Sequence, residues 1–324
     1  MAAKRTKKKR DIYQEVTNTI LQYLEEGTAP WRNPIAKNTG DGWPKNLTTE
    51  KRYRGINVLL LSMQSWASGF ASDYWLTYKQ ASAKGGQVRK GEKGSLVTFW
   101  KMHETTDKKT GEDKTMPVLR HYTAFNVEQI DGVEIPDAPP VASVEPFEPL
   151  EAAEQIVAGY QNAPAISHDG GQRAFYRIHS DSVHLPTPER FDCRENYYST
   201  LFHELSHSTG HSSRLDRGLD RDPAPFGSPD YSREELVAEI SAAYLSATCG
   251  ISPPTIEQSA AYLQGWIKVL KGDKRLVVSA AGAAQKSADL ILGEQFSAAS
   301  KATSTPTSEP EKKPIAPTTQ MDLF

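Results

Sequence analysis

The 324-residue sequence contains 38 Lys and Arg against 40 Asp and Glu, but the charge is unevenly distributed. Residues 1–135 hold 22 Lys and Arg against 15 Asp and Glu, a net charge of +7, whereas residues 136–324 hold 16 against 25. The length favours two domains, and the basic half favours a polyanionic partner such as nucleic acid. Only two cysteines, no secretory signal and no long apolar run argue against a disulfide-stabilised secreted protein and against a membrane protein, so we expect a cytoplasmic location.

The N-terminal end is a basic arm, residues 1–10, whose charge run is typical of disorder. It can follow phosphates or serve only as a solubilising tail. Apolar residues at a spacing of four then predict an amphipathic helix from Asp11 to Glu26. A second helix is predicted from about Tyr53 through Trp66, and Gly69 should end it.

Two strands are predicted further along the basic half. Branched and aromatic residues favour one strand at Leu96–Lys101 and another at Arg120–Val127, joined by a polar hairpin tip at residues 107–114. The glycine-rich stretch before the first strand is predicted to be a turn or ribbon. Residues 11–135 therefore form a mixed α/β domain.

Aromatic residues interleaved with Lys, Arg and Gln in this domain are typical of single-strand binders, because bases stack on rings while cations follow the backbone. Each ring taken alone could equally belong to the core. The segments that show this pattern contain the candidate DNA-binding residues Arg54, Asn57, Trp75, Tyr78, Lys79, Gln80, Arg89, Lys90, Lys93 and Lys101.

Residues 136–149 contain five prolines and predict a semi-rigid linker between the domains. The second domain, residues 150–296, should begin with a helix at Leu150–Tyr160. Strand-like alternation follows at Phe175–Leu185. Within it we expect Asp181–Leu185 to form an antiparallel edge strand with which an extended peptide can pair.

The stretch Asn196–His211 is predicted to be a helix, and it contains the motif His-Glu-x-x-His at His203, Glu204 and His207. Histidines four residues apart share a helix face, so both can bind one metal ion. Zinc suits imidazole ligands, and a catalytic zinc keeps a position open for water. Glu204 can then act as general base. We predict one zinc ion per chain, with another divalent ion as the alternative.

Two histidines do not hold zinc tightly, and two candidates exist for a third ligand. His211 lies about 12 Å along the helix axis from His203, too far for one ion unless the helix breaks. Glu235 lies on a helix predicted to start at Ser232, and we favour it as the ligand. Glu239, on the same face, is predicted to accept a hydrogen bond from a ligand histidine, and His211 is assigned with it to the surroundings of the ligands.

Five blocks in order resemble the ArdC family of plasmid antirestriction proteins, which also covers the N-terminal part of certain conjugative primases. The blocks are Arg54–Asn57, Trp75–Gln80, Val88–Gly94, His203–His211 and Glu234–Glu239. The second half is similar to zincin metallopeptidases whose third ligand is a glutamate. The resemblance implies an α+β protein with an N-terminal domain that binds single-stranded DNA, a C-terminal zincin-like metallopeptidase domain, and protection of conjugated DNA from restriction.

Two hypotheses of different classes follow. In the first, the site is a working peptidase that cleaves a host protein substrate on or near DNA. In the second, the protein coats single strands and the metal only holds the fold. The presence of Glu204 favours the first, because a structural zinc usually has four protein ligands.

The tail, residues 297–324, is rich in Ser, Thr, Pro, Lys and Ala and is predicted to be disordered. It ends in Gln320, Met321, Asp322, Leu323 and Phe324, which resembles the short motif by which bacterial DNA-processing proteins dock on the replication sliding clamp. Apolar anchors on a flexible tether suit binding to a groove. A chance match of five residues is the alternative.

Overall fold

The computed structural model describes residues 10–32, 43–106, 112–136, 148–169, 171–219, 228–251 and 260–294. The basic arm except Arg10, most of the linker, the tail and the candidate clamp-binding residues Gln320, Met321, Leu323 and Phe324 lie outside these residues. Within them, every helix is too short or too polar to span a bilayer.

The chain forms two α+β domains. The first comprises helices α1 (Ile12–Glu25), α2 (Ile56–Ser68) and α3 (Tyr78–Ala83) and strands β1 (Lys45–Asn46), β2 (Tyr74–Thr77), β3 (Gln87–Val88), β4 (Ser95–Thr106), β5 (Asp113–Asn126) and β6 (Ile130–Asp131). Four strands form a sheet in the order β1-β2-β5-β4, in which only the β1–β2 pair is parallel, and β3 pairs with β6.

Local signals explain the ends of the first two helices. The side chain of Asp11 caps α1 by accepting a hydrogen bond from the backbone N–H of Gln14 at 3.2 Å. Gly69 ends α2 in the left-handed conformation, with a φ of 67°, where a residue without a Cβ is favoured. Helix α1 matches its predicted range to within one residue at each end, whereas α2 begins three residues after the predicted Tyr53 and ends before Gly69 as predicted.

Strands β4 and β5 form a long ribbon of twelve residue pairs, from Ser95 opposite Ala124 to Thr106 opposite Asp113. Because β2 pairs with β5 only at residues 124–126, the ribbon is two-stranded over most of its length. Both strands extend further towards the hairpin tip than predicted.

The second domain comprises helices α4 (Glu148–Gly159), α5 (Arg194–Ser208), α6 (Pro229–Thr248), α7 (Ala260–Gly272) and α8 (Leu276–Leu292) and strands β7 (Ala165–Ser167), β8 (Phe175–Arg177) and β9 (Ser182–His184). Helix α4 begins two residues before the prediction. Helix α6 begins before the predicted Ser232, because Ser228 is its N-cap and Pro229 occupies the first turn.

The three strands of this domain form a sheet in the order β7-β9-β8. Strand β9 is the central strand, parallel to β7 and antiparallel to β8. The predicted edge strand at Asp181–Leu185 is therefore wrong: a 3₁₀ turn at Ile178–Ser180 folds the predicted continuous strand into two, and β8 takes the edge.

The two domains share one apolar core. Buried residues of α1 and α2, such as Ile20 and Leu59, belong to the same cluster as Tyr244 of α6 and Val277 of α8. Hydrogen bonds also cross the junction, since the hydroxyl of Tyr244 donates to the carbonyl of Gly55 at 2.8 Å. The N-terminal helices are therefore built into the core that supports the second domain.

Candidate metal centre

Helix α5 presents two histidines one turn apart on the same face. The Nε2 atoms of His203 and His207 lie 3.1 Å from each other, and both side chains are partly buried. Ligands about 2.0–2.1 Å from a tetrahedral ion are separated by about 3.4 Å. The two imidazoles are therefore spaced as ligands of one ion.

Helix α6 brings Glu235 to the same point. Its Oε2 lies 3.6 Å from Nε2 of His203, and its Oε1 lies 3.6 Å from Nε2 of His207. Ligand atoms of the three residues all lie within 4.8 Å of one another. Two nitrogens and one carboxylate fit zinc or another divalent cation and leave a coordination position for water.

The charge of the cluster also fits a cation. Burial disfavours the charged form of His203, but a hydrogen bond that its imidazolium donates to Glu235 and the charges of Glu239, Glu204 and Glu235 outweigh it and raise the pKa of His203 to about 9. Burial likewise opposes ionisation of Glu235, yet His203 and His207 hold its pKa below the usual value. The site therefore stabilises positive charge.

Glu204 is buried and lines a cavity of about 1080 Å³ together with the three candidate ligands. Phe175 and Tyr176 of β8 line the same cavity. A carboxylate of the His-Glu-x-x-His motif and the edge of a sheet therefore face one open space.

Glu234, not Glu239, orients a histidine. Its Oε1 lies 3.2 Å from Nδ1 of His207, so a proton on that nitrogen leaves Nε2 available to a metal. Arg217 donates to both oxygens of Glu234, from Nε at 2.8 Å and from Nη2 at 2.6 Å. The guanidinium and the imidazole together hold the pKa of Glu234 below its usual value against the effect of burial.

The prediction that Glu239 accepts a hydrogen bond from a ligand histidine is wrong. Among the described residues its carboxylate is hydrogen-bonded to Arg32, at 2.6 and 3.3 Å, and to the hydroxyl of Tyr262 at 3.0 Å. The guanidinium of Arg32 also lies over the Tyr262 ring, 4.3 Å from its centroid. Glu239 thus joins the N-terminal domain to α6 one turn beyond Glu235.

His211 lies in the turn after α5 and takes no part in the three-residue cluster. Its Nδ1 lies 2.7 Å from the hydroxyl of Ser213 and accepts the backbone N–H of that residue. Helix α5 ends at Ser208, three residues before His211. Within the described residues its side chain bonds to Ser213 and not to a ligand histidine, contrary to its assignment to the surroundings of the ligands.

Tyr231, in the first turn of α6, was missed by the sequence analysis. It lines the cavity, and burial, the charge of Glu235 and a hydrogen bond to that carboxylate raise the pKa of its phenol to about 12. The phenol is therefore a neutral hydrogen-bond donor beside the cluster. A tyrosine four residues before a candidate ligand shares its helix face, which is the signal that could have identified it.

Four of the predicted DNA-binding residues have structural roles instead. Trp75 is fully buried, so it cannot stack on a base. Arg54 forms an ion pair with Asp289 of α8 across the domain junction. Asn57 bonds to the backbone of Thr98 through both amide atoms, at 2.7 and 2.8 Å, and Gln80 completes the capping box of α3.

The other six predicted residues are exposed, although Arg89 forms ion pairs with Glu92 and Asp131. Tyr78 is 51% exposed, as a stacking residue requires. The exposed set comprises Tyr78, Lys79, Arg89, Lys90, Lys93 and Lys101.

Two family models match the chain. The N-terminal domain of anti-restriction factor ArdC matches residues 10–125, and a zincin-like metallopeptidase matches residues 151–283. The metal-free crystal structure of antirestriction protein ArdC from plasmid R388 is 40% identical, covers 88% of this chain and 98% of its own, and superposes with a TM-score of 0.71. Its Mn(II)-bound structure is 39% identical, covers the same shares and has a TM-score of 0.69.

Relatives found by sequence comparison also match over most of this chain. DNA primase TraC of Escherichia coli is 40% identical over 303 residues, which are 88% of this chain but only 27% of the primase. A second TraC of Escherichia coli is 39% identical, and the match covers 20% of that primase. Protein y4eC of Sinorhizobium fredii is 36% identical over 89% of this chain and 94% of its own length. With such identity over nearly the whole length of both ArdC and y4eC, the chain belongs to the ArdC family of antirestriction proteins.

Proposed function

We propose that this protein is an antirestriction factor that binds single-stranded DNA during conjugative transfer and carries a metal-dependent peptidase site. The observation that carries the peptidase proposal is the cluster of His203, His207 and Glu235, with Glu204 beside it in an open cavity. Three ligands rather than four are typical of a catalytic metal site.

His203, His207 and Glu235 would hold a divalent ion, which when bound would supply a Lewis acid that lowers the pKa of water and polarises a carbonyl group. Glu204 accepts the proton of the attacking water and returns it to the leaving amine. The neutral phenol of Tyr231 donates a hydrogen bond to the carbonyl oxygen as negative charge develops there. Zinc suits the ligand set, and the Mn(II)-bound ArdC structure makes manganese the alternative.

The substrate class follows from the sheet beside the cavity. Within the described ranges, strand β8 pairs with another strand on one side only, and its Phe175 and Tyr176 line the cavity. An extended peptide can pair with such an edge while its side chains enter the adjacent space. A protein substrate therefore fits the site better than a small molecule does.

The DNA-binding part of the proposal is supported by family membership, by the net charge of +7 in residues 1–135 and by exposed cations beside exposed rings. The alternative is that the protein protects DNA by coating it and that the metal only stabilises the fold. The remaining proposed partner, the sliding clamp, is supported by the terminal motif alone.

One experiment separates these functions. We would compare wild type with Glu204→Gln and His207→Ala for metal content, for cleavage of a library of quenched fluorescent peptides, and for protection of incoming single-stranded DNA from restriction in cells. Glu204→Gln should keep about one ion per chain and lose peptide cleavage, whereas His207→Ala should lose both.

The level of DNA protection by Glu204→Gln distinguishes the peptidase hypothesis from the coating hypothesis. If Glu204→Gln protects DNA as well as wild type does, coating is sufficient and the peptidase is not the antirestriction activity. If Glu204→Gln still cleaves the peptides at the wild-type rate, the proposed general base is wrong.

A further inference from the structure

The ribbon of β4 and β5 has two chemically different faces. Directly opposite residues of an antiparallel pair share a face, and successive residues alternate. From Phe99 outward, every residue of β4 is exposed. The pairs Phe99–Arg120, Lys101–Val118, His103–Met116 and Thr105–Lys114 lie on one face, which we term the basic face.

Each of these four pairs combines one basic side chain with one nonpolar or neutral side chain. Across the described part of the ribbon, the basic face carries no Asp or Glu. The opposite face, which we term the acidic face, holds Glu104 and Asp113 and has no Lys or Arg in the pairs from Trp100–Leu119 to Thr106–Asp113. The alternation of side chains along the strands therefore places the basic residues on one face and the acidic residues on the other, as binding to a polyanion requires.

The basic face also offers an aromatic surface. Phe99 is 40% exposed, and its ring centroid lies 5.9 Å from that of Tyr122, which supports it from the base of the ribbon. Helix α1 approaches the acidic face instead, where Tyr13 contacts Trp100. Among the described residues neither Lys101 nor Arg120 has an ion-pair partner, so both charges are available to phosphates.

We infer that the basic face of this ribbon is the surface on which the protein holds single-stranded DNA, with a base stacked on Phe99 and phosphates on Lys101 and Arg120. This inference rests on the proposed DNA binding and locates it. A β-ribbon can also enter the major groove of duplex DNA. The exposed ring beside Lys101 and Arg120 favours a single strand, because the bases of a duplex are already stacked.

The test uses the full chain and a fluorescent single-stranded oligonucleotide at several salt concentrations. Lys101→Gln with Arg120→Gln should lower affinity about 10-fold at 0.15 M salt and reduce the salt slope by about 1.4, because two phosphate contacts are lost. The matched control is Thr106→Glu with Thr115→Glu, which makes the same change of net charge on the acidic face. It should leave the salt slope unchanged.

A second pair of variants tests stacking without changing charge. Phe99→Ala should weaken binding at least about 5-fold, and Met102→Ala on the acidic face should not. Both side chains are exposed, so the variants should keep the wild-type unfolding temperature.

The outcomes are distinguishable. If wild type does not bind the oligonucleotide, the proposed DNA-binding function itself fails. If wild type binds and the basic-face variants bind equally well, the ribbon is not the site although the function stands. Tighter binding of duplex, lost in the same variants, would assign the ribbon to groove recognition and overturn the inference.

Discussion

Replacing Glu234 by Gln should weaken metal binding without removing a ligand. Glu234 keeps the proton of His207 on Nδ1, across a separation of 3.2 Å, so that Nε2 faces the cluster. A Gln oxygen can accept the same hydrogen bond but lacks the charge that increases the basicity of the imidazole. Loss of such an outer partner typically costs 10–100-fold in affinity, and because one bond survives we expect about 10-fold, or about 1.4 kcal/mol.

The assay is calorimetric titration of chelator-treated protein with Zn²⁺ and with Mn²⁺. Glu151→Gln, an exposed substitution on α4, makes the same charge change away from the site and should bind as wild type does. Glu234→Gln also weakens the ion pair with Arg217, so the unfolding temperature of the metal-free protein is measured in parallel. A lowered unfolding temperature with unchanged metal affinity would refute the orienting role and leave Glu234 a purely structural residue.

Three other predictions concern stability and partners. Asp181→Asn should destabilise the protein by about 2 kcal/mol in urea unfolding, because the Arg214 side chain is only 3% exposed and would keep only uncharged acceptors. Burial opposes ionisation of Asp181, but the hydrogen bond and charge of Arg214 outweigh burial and lower the pKa of Asp181. The stabilisation from this ion pair is therefore present above about pH 4 and is lost as the pH falls through the folded-state pKa. Equal acid sensitivity of variant and wild type would contradict this prediction. Residues 10–136 expressed alone should expose the apolar face of α1 and bind a hydrophobic dye, unlike residues 10–294; a well-folded fragment would show that the shared core is dispensable. The 305–324 peptide should bind purified bacterial clamp, and an affinity unchanged by alanine at its last two residues would remove that idea.

The metal site was largely predictable because the residues of its central motif lie close together in the sequence. The spacing of His203 and His207 fixes their common face on any helix, and the structure brings Glu235 to the same point. The choice between Glu234 and Glu239 as the partner of a histidine was not predictable. It depends on how α5 and α6 cross and on Arg32, which lies 207 residues away in sequence and engages Glu239.

A DNA-binding surface is harder to propose from sequence, because composition does not show which side chains have partners. Arg54 looks like a free cation in the sequence, but Asp289 neutralises it across the domain junction. Trp75 resembles a stacking residue in the sequence, but its side chain on strand β2 lies buried in the core. Phe99 and Arg120, which carry the proposal for the ribbon, are not among the candidates from the sequence, since their shared face appears only once the register of the β4–β5 ribbon is known.

The shared core of the two domains has a thermodynamic consequence. Helices that belong to one apolar cluster cannot unfold separately without exposing each other's buried faces, so global unfolding should be a single cooperative transition. A ligand that binds only the native chain then stabilises all of it, by about 2.7 kcal/mol at a free concentration of 100 Kd. Saturation of the metal site should therefore slow hydrogen exchange at the amides of α1 and α2 as well as at those of α5, even though neither N-terminal helix supplies a ligand.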